Sequence, residues 1–251
     1  PSFSPAGAYL DYWIPEGGLE QPSIEIVMPN GRIAQTFDEV DSRTVEQAQE
    51  MRAPFQRRRG QAGVSGEAGA HRLVWGFDVT TEVGRSLTAY PGRYTARLKS
   101  GDEVVDQQTF EVVMDPRVRA DGIVTEDLVA QFELQELVAA TRQEAMAANR
   151  RVQEGRQKAT GATKEAFDAL HYRLNSIEGG SYQKPMLLSQ IGYLSSMIGR
   201  ADGRPGRDAY ERHEELQAEL QAILTELARL ERLIADDADE AASGSTEGCC
   251  G

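Results

Sequence analysis

Hydrophobic and polar residues alternate most regularly between positions 71 and 117. Tyr94, Ala96 and Leu98 interleave with Arg93, Thr95, Arg97 and Lys99, the period of two that a half-buried strand requires. The spacing predicts three strands here, over 71–79, 93–98 and 104–114, with Phe110 and Val112 sharing a face of the last. Pro91-Gly92 turns into the second of them, and Ser100-Gly101-Asp102 joins the second to the third. Upstream, aromatic and β-branched residues over 8–14 predict a first strand that stops at Pro15. Residues 23–28, with Ile24 and Ile26 on one face, and 33–37 predict two more. Asn30-Gly31 between them predicts a type I′ hairpin turn, because both residue types tolerate positive φ. Residues 38–70 break the alternation, with a helical flavour over 44–51 and a Gly- and Ala-rich stretch over 61–70. So long a connection inside a small β domain is uncommon and often functional.

The period changes after Asp115-Pro116-Arg117. Residues 118–124 read as a short linker, and from Thr125 to Ile234 the chain reads as helix. Thr125 caps the first helix, with Glu126 and Asp127 in its first turn, where the helix dipole favours negative charge. Leu134, Val138, Thr141, Ala145, Ala148 and Val152 form its seam to about residue 157. Thr163 caps a second helix with an apolar face of Phe167, Leu170, Leu174 and Ile177, ended by Gly179-Gly180. Pro185 sits in the first turn of a third, whose stripe is Leu187, Ile191, Leu194 and Ile198. The last helix, 207–235, has the cleanest seam: Leu216, Leu220, Ile223, Leu227, Leu230 and Ile234, at heptad spacing. Short connections suit an antiparallel four-helix bundle; long first and last helices equally suit an extended hairpin. From Asp236 the tail is acidic, then Ser- and Gly-rich, and is expected to be disordered.

Composition narrows the functional classes. The 251 residues carry a net charge of −13, which opposes phosphate backbones at long range and argues against nucleic-acid binding. No apolar run is long enough to span a membrane. No signal peptide is visible, and an opening at Pro1 instead of Met reads as a processed or excised N-terminus. The two cysteines, Cys249 and Cys250, are adjacent, too close to bridge each other readily. They read as a tail end, or as an intermolecular disulfide or modification site. Arg57-Arg58-Arg59 reads as a solvated run or as a docking point for an acidic partner surface. His71, His171 and His213 lack metal-ligand spacing. Glu214-Glu215 and Asp236-Asp237 read as solvated charge, because adjacent helix residues do not face each other. No catalytic, cofactor or metal residue is assigned.

Several short motifs carry a resemblance. Gly7-Ala8-Tyr9-Leu10, Ile24-Glu25-Ile26 and Asn30-Gly31-Arg32 come first. Gly69-Ala70-His71-Arg72-Leu73-Val74-Trp75, Pro91-Gly92-Arg93-Tyr94-Thr95 and Asp115-Pro116-Arg117 follow, then Asp127-Leu128 and Gln131-Phe132. Together they resemble the C-terminal Ig-like, FlgD-type module and helical region of secreted bacterial sortilin-like or BNR-repeat β-propeller proteins, often labelled glycosyl hydrolases. The resemblance implies an Ig-like antiparallel β-sandwich over 1–117 with a long inserted loop at about 38–70. A helical bundle or hairpin over 118–235 and a disordered tail over 236–251 complete the expected organisation, a mixed chain with separate β and α parts. It also implies a secreted, periplasmic or cell-surface location and a propeller domain or subunit as partner. The blades that would carry hydrolase chemistry are absent from these residues, so the expected role is a non-catalytic scaffold. The alternative is an accessory substrate-binding part of a secreted glycoside hydrolase; a homo-oligomer joined through helical seams is a further expectation. Trp75, Pro91, Gly92 and Tyr94 are expected in the β core, and Leu216, Leu220, Ile223, Leu227 and Leu230 in the helical core. An exposed Trp75 and Tyr94, or an exposed Trp13, would instead make a carbohydrate-stacking platform.

Overall fold

The computed structural model describes residues 7–40, 63–175 and 184–244. Contacts divide the chain into two units, Pro1–Phe132 and Glu133–Gly251.

Among the described residues of the first unit there are eight strands: β1 (Ala8–Ile14), β2 (Pro22–Val27), β3 (Ile33–Phe37), β4 (Gly69–Trp75), β5 (Asp78–Thr80), β6 (Ser86–Thr88), β7 (Gly92–Ser100) and β8 (Glu103–Val112). They pair antiparallel as a four-stranded sheet β3-β2-β7-β8 and two ribbons, β1-β4 and β5-β6. One apolar cluster serves all three. Ile24 and Ile26 of β2, Phe37 of β3, Leu73 and Trp75 of β4, Val79 of β5, Leu87 of β6 and Tyr94 of β7 are buried in it. The period of two puts Ile24 and Ile26 on the core face, as it does Tyr94, with Ala96 and Leu98 half-buried behind it. Edge strand β8 is exposed through most of its length.

Three local expectations need correction. Residues 71–79 are not one strand: β4 ends at Trp75, and Phe77 turns the chain at φ +63° before β5 begins. A bulky residue in that region is uncommon. Phe77 is held there by its edge-on contact with Trp75, and its carbonyl accepts the Ala89 N–H at 2.8 Å. The β2–β3 turn is not type I′, because only Gly31 has positive φ, +86°. Pro29 takes the first central position, where its ring fixes a negative φ, and the Gly31 N–H donates to the Met28 carbonyl at 2.9 Å. Residues 118–124 are not all linker: α1 (Pro116–Ala120) runs into them, capped by the Asp115 carboxylate, which accepts the Arg117 N–H at 2.9 Å.

Among the described residues four longer helices follow: α2 (Thr125–Lys158), α3 (Gly161–Leu174), α4 (Leu187–Ile198) and α5 (Arg207–Gly244). The unit boundary falls inside α2, because Leu128, Val129 and Phe132 pack with the β core. The change of sequence period at 117 therefore precedes the change of core.

In the second unit the seams close on one another. Leu134, Val138, Ala145, Ala148 and Val152 of α2 meet Phe167, Leu170 and Leu174 of α3. Leu187, Ile191, Leu194 and Ile198 of α4, with all five seam residues of α5 from Leu216 to Leu230, complete the core. Ion pairs and hydrogen bonds give the directions. Arg156 bonds Asp168 and Asn175 bonds Asn149, so α3 runs back along α2. His213 meets Thr141 and Glu231 meets Arg151, so α5 runs the same way as α2.

The helix ends also differ from expectation. Thr160, not Thr163, precedes α3, and Asn175 ends that helix before Ile177 and the Gly179-Gly180 pair, which lie outside the described residues. Pro185 stands outside α4; Met186 is the cap position, and the Gln190 side chain donates to the Pro185 carbonyl at 2.5 Å. The last helix does not stop at 235 but continues to Gly244, through an alanine-rich run that favours helix. Among the described residues no helix is long and apolar enough to cross a membrane.

Candidate interaction surfaces

The residues singled out by sequence separate into those consumed by the fold and those left on its surface. Trp75 is fully buried, and its indole N–H donates to the Asp78 carbonyl at 2.9 Å. Tyr94 is fully buried at 5.2 Å from the Trp75 ring, and its hydroxyl donates to the Tyr90 carbonyl at 2.8 Å. Burial, which penalises the phenolate, raises the Tyr94 pKa. Neither aromatic ring is presented to solvent, so the two do not form a stacking platform. Pro91 and Gly92 lead into β7, where Gly92 pairs with Val112. Arg57, Arg58 and Arg59 lie outside the described residues, as do Cys249 and Cys250.

Each histidine has a structural partner. The His71 Nε2 lies 2.8 Å from the Glu67 carbonyl, and its ring stacks on Tyr12 at 5.3 Å. His171 accepts from the Asn175 amide at 3.0 Å, and burial followed by the nearby Arg156 charge lowers its pKa. His213 is buried; its Nε2 donates to the Thr141 oxygen at 2.9 Å, while the Thr141 hydroxyl donates to the Leu137 carbonyl at 3.0 Å. Burial is the main reason that the His213 pKa falls below its ordinary value. Among the described residues no three His, Cys, Asp or Glu side chains come together as a metal site.

Among the described residues, two surfaces stand out. The outward face of β1 carries Tyr9, Asp11 and Trp13, with Trp13 69% exposed. Between the two aromatics, Arg72 of β4 grips Asp11 with two bonds, 2.6 and 2.8 Å, and its guanidinium lies 5.2 Å from the centre of the Tyr9 ring. The hydrogen bonds from Arg72 hold the Asp11 carboxyl below its usual pKa. The period of two in 8–14 was the signal for this face.

The second surface is a groove of about 1000 Å³ on the helical unit. It lies along α4, the 199–206 connection and the start of α5. Leu194, Ile198 and Ala209 line it, together with Tyr193 and Met197, which are 65% and 46% exposed. Lys184, Arg204 and Arg212 bring three cations to its lining, against Asp202 and Asp208. Arg212 is held by Glu215 and Gln190. Nothing in the seam pattern pointed to this site. The available signal was Tyr193 and Met197, one helical turn apart and off the Leu187–Ile198 stripe.

No protein-family model, no curated protein and no solved structure matches the chain.

Proposed function

We propose that this chain is a non-catalytic structural and protein-interaction module. It is the C-terminal part, or a partner subunit, of a secreted bacterial sortilin-like β-propeller protein. On this reading the first unit is an Ig-like, FlgD-type β-sandwich and the second an antiparallel helical bundle in which α3 and α4 return in series between α2 and α5. Four described side chains support it, because they are spent on the fold: Trp75, Tyr94, His213 and Thr141 all direct their polar atoms to internal partners. The carrying observation for the sandwich is Tyr94. It stands at the start of β7 and its hydroxyl returns to the backbone four residues upstream, the tyrosine corner that immunoglobulin-type sandwiches use.

The test is light scattering of the chain alone and mixed with a purified sortilin-like propeller. A complex of defined stoichiometry is the expected result. Failure to bind, or turnover of a glycoside by the chain alone, sinks the reading. Exposed Trp13 favours one second reading, an accessory glycan-binding role for the β1–β4 face. There, Trp13→Ala would abolish binding to immobilised glycans without lowering stability; absence of any glycan binding by the unaltered chain removes it.

A further inference from the structure

His213 is the first buried residue of α5. Every residue before it in the helix, from Arg207 to Arg212, is exposed or half-buried, and the leucine seam begins a turn later at Leu216. Three of those early residues, Asp208, Ala209 and Arg212, form one side of the groove. Few contacts hold that side in place. Ala209 and Tyr210 pack partly against the helical core, and Arg212 donates to Gln190 of α4. His213 adds a buried polar contact, Nε2 to the Thr141 oxygen of α2 at 2.9 Å.

The hydrogen-bond chain fixes the protons. The Thr141 hydroxyl spends its hydrogen on the Leu137 carbonyl, so its oxygen accepts from His213 Nε2. In the neutral ring the hydrogen is then on Nε2 and Nδ1 is bare. A second proton enters at Nδ1 and puts a full charge at a buried position between two helices. On its own helix Glu214 favours the charged ring, and from α2 the Leu137 carbonyl does so too; burial outweighs both and lowers the ring's pKa. Among the described residues no carboxylate pairs with the ring. What α2 offers is the neutral Thr141 hydroxyl and Leu137 carbonyl, and α4 reaches this turn through the neutral Gln190. Turning the ring out to water relieves the charge and gives up the Thr141 contact.

We propose that His213 is an acid-sensitive latch: its protonation releases the first two turns of α5, and with them one side of the groove, while the seam from Leu216 onward stays packed. The position in the helix favours release, because the first N–H groups of a helix have no partner within it and the segment has few hydrogen bonds to break. The seam beyond it is apolar and indifferent to pH. The latch is a property of the fold and stands apart from which partner the module takes.

Hydrogen exchange of the full chain at pH 7.5 and 5.5, read as protection factors, tests it. In the open segment the ring titrates near the ordinary 6.5. Acidification to one unit below that value therefore raises the open population by at most about tenfold. Amides from Glu211 to Glu215 are expected to lose protection several-fold, up to that limit, and to be less protected at both pH values than those from Ile223 to Leu230. His213→Gln keeps a donor for Thr141 and cannot titrate, so its protection over 211–215 is expected to be the same at both pH values. Equal protection over 211–215 and 223–230 overturns the proposal, because opening is then global. No loss on acidification in the unaltered chain overturns it as well, and so does a loss that persists in His213→Gln. The first two readings come from the unaltered chain and decide the matter even where the variant does not fold.

Discussion

Gly155 lies in the last third of α2, and the Phe167 ring of α3 packs directly on its backbone, where a β-carbon would stand. Helix propensity alone makes Gly→Ala stabilising by about 1 kcal/mol. Overpacking a filled site costs about 1–3 kcal/mol. The second effect wins here because Phe167 is fully buried and has nowhere to retreat. Gly155→Ala is therefore expected to lower the urea midpoint of the helical unit, and an increase would disprove the close approach. Two aromatic residues give a matching contrast. Tyr94→Phe removes the bond to the Tyr90 carbonyl and is expected to cost about 1 kcal/mol, whereas Trp13→Ala at an exposed site stays within about 0.5 kcal/mol. Burial of Trp75 and Tyr94 was legible in the sequence, since large aromatics on an alternating strand partition inward. Gly155 was not, because its role belongs to a neighbour in another helix. The caps at Asp115 and Thr160 escaped for a similar reason: Ser, Thr and Asp near a helix start offer several candidates, and only backbone geometry selects one.

Among the elements, α5 was the most legible. Its seam residues Leu216, Leu220, Ile223, Leu227 and Leu230 are each at most 1% exposed, because a long helix with one apolar stripe has one way to bury it. Elements of three residues leave no period to read, and β6 was missed. The break at Phe77 was missed because neither glycine nor proline occupies the residue that turns. His213 shows the same division. Its place on the α5 seam was readable, but its partner Thr141 sits on α2, 72 positions away. That pair carries a pH dependence. The His213 pKa is lowered in the fold from an ordinary 6.5, so the unfolded chain binds its proton first as pH falls. The stability contribution is complete above pH 6.5 and is lost as pH drops from there towards the lowered folded value. His171 shifts in the same direction. Denaturant melts of His213→Gln between pH 7.5 and 5 are expected to show a shallower loss than the unaltered chain. An identical slope would place the dependence elsewhere.

At the scale of the molecule, the two apolar clusters share no residue. The Trp75 and Tyr94 environment reports on the first unit, and the bulk of the helix signal reports on the second. Near- and far-ultraviolet circular dichroism are therefore expected to follow different thermal transitions. Leu227→Ala, a fully buried truncation costing about 2–5 kcal/mol, is expected to lower the helix transition while leaving the aromatic one in place. Coincident shifts of both would mean that the units unfold as one. The organisation into a β part and a helical part was readable from the switch of period at Asp115-Pro116-Arg117. The position of the division was not, because the first turns of α2 continue the helical pattern while burying Phe132 against Tyr90, 5.2 Å between ring centres.

The hairpin turn at Asn30-Gly31 has a consequence for how the protein ages. Asparagine followed by glycine is prone to spontaneous deamidation, in which the glycine amide nitrogen attacks the asparagine side-chain carbonyl, the side-chain nitrogen leaves as ammonia and a succinimide closes, which water then opens. Here the Gly31 N–H is engaged by the Met28 carbonyl, and the Asn30 side-chain oxygen accepts the Arg32 N–H at 3.1 Å. Both reacting groups are held by the turn. Conversion to aspartate and isoaspartate during storage then scales with the fraction of time for which this hairpin is open, and peptide mapping of aged samples becomes a gauge of local unfolding of β2 and β3.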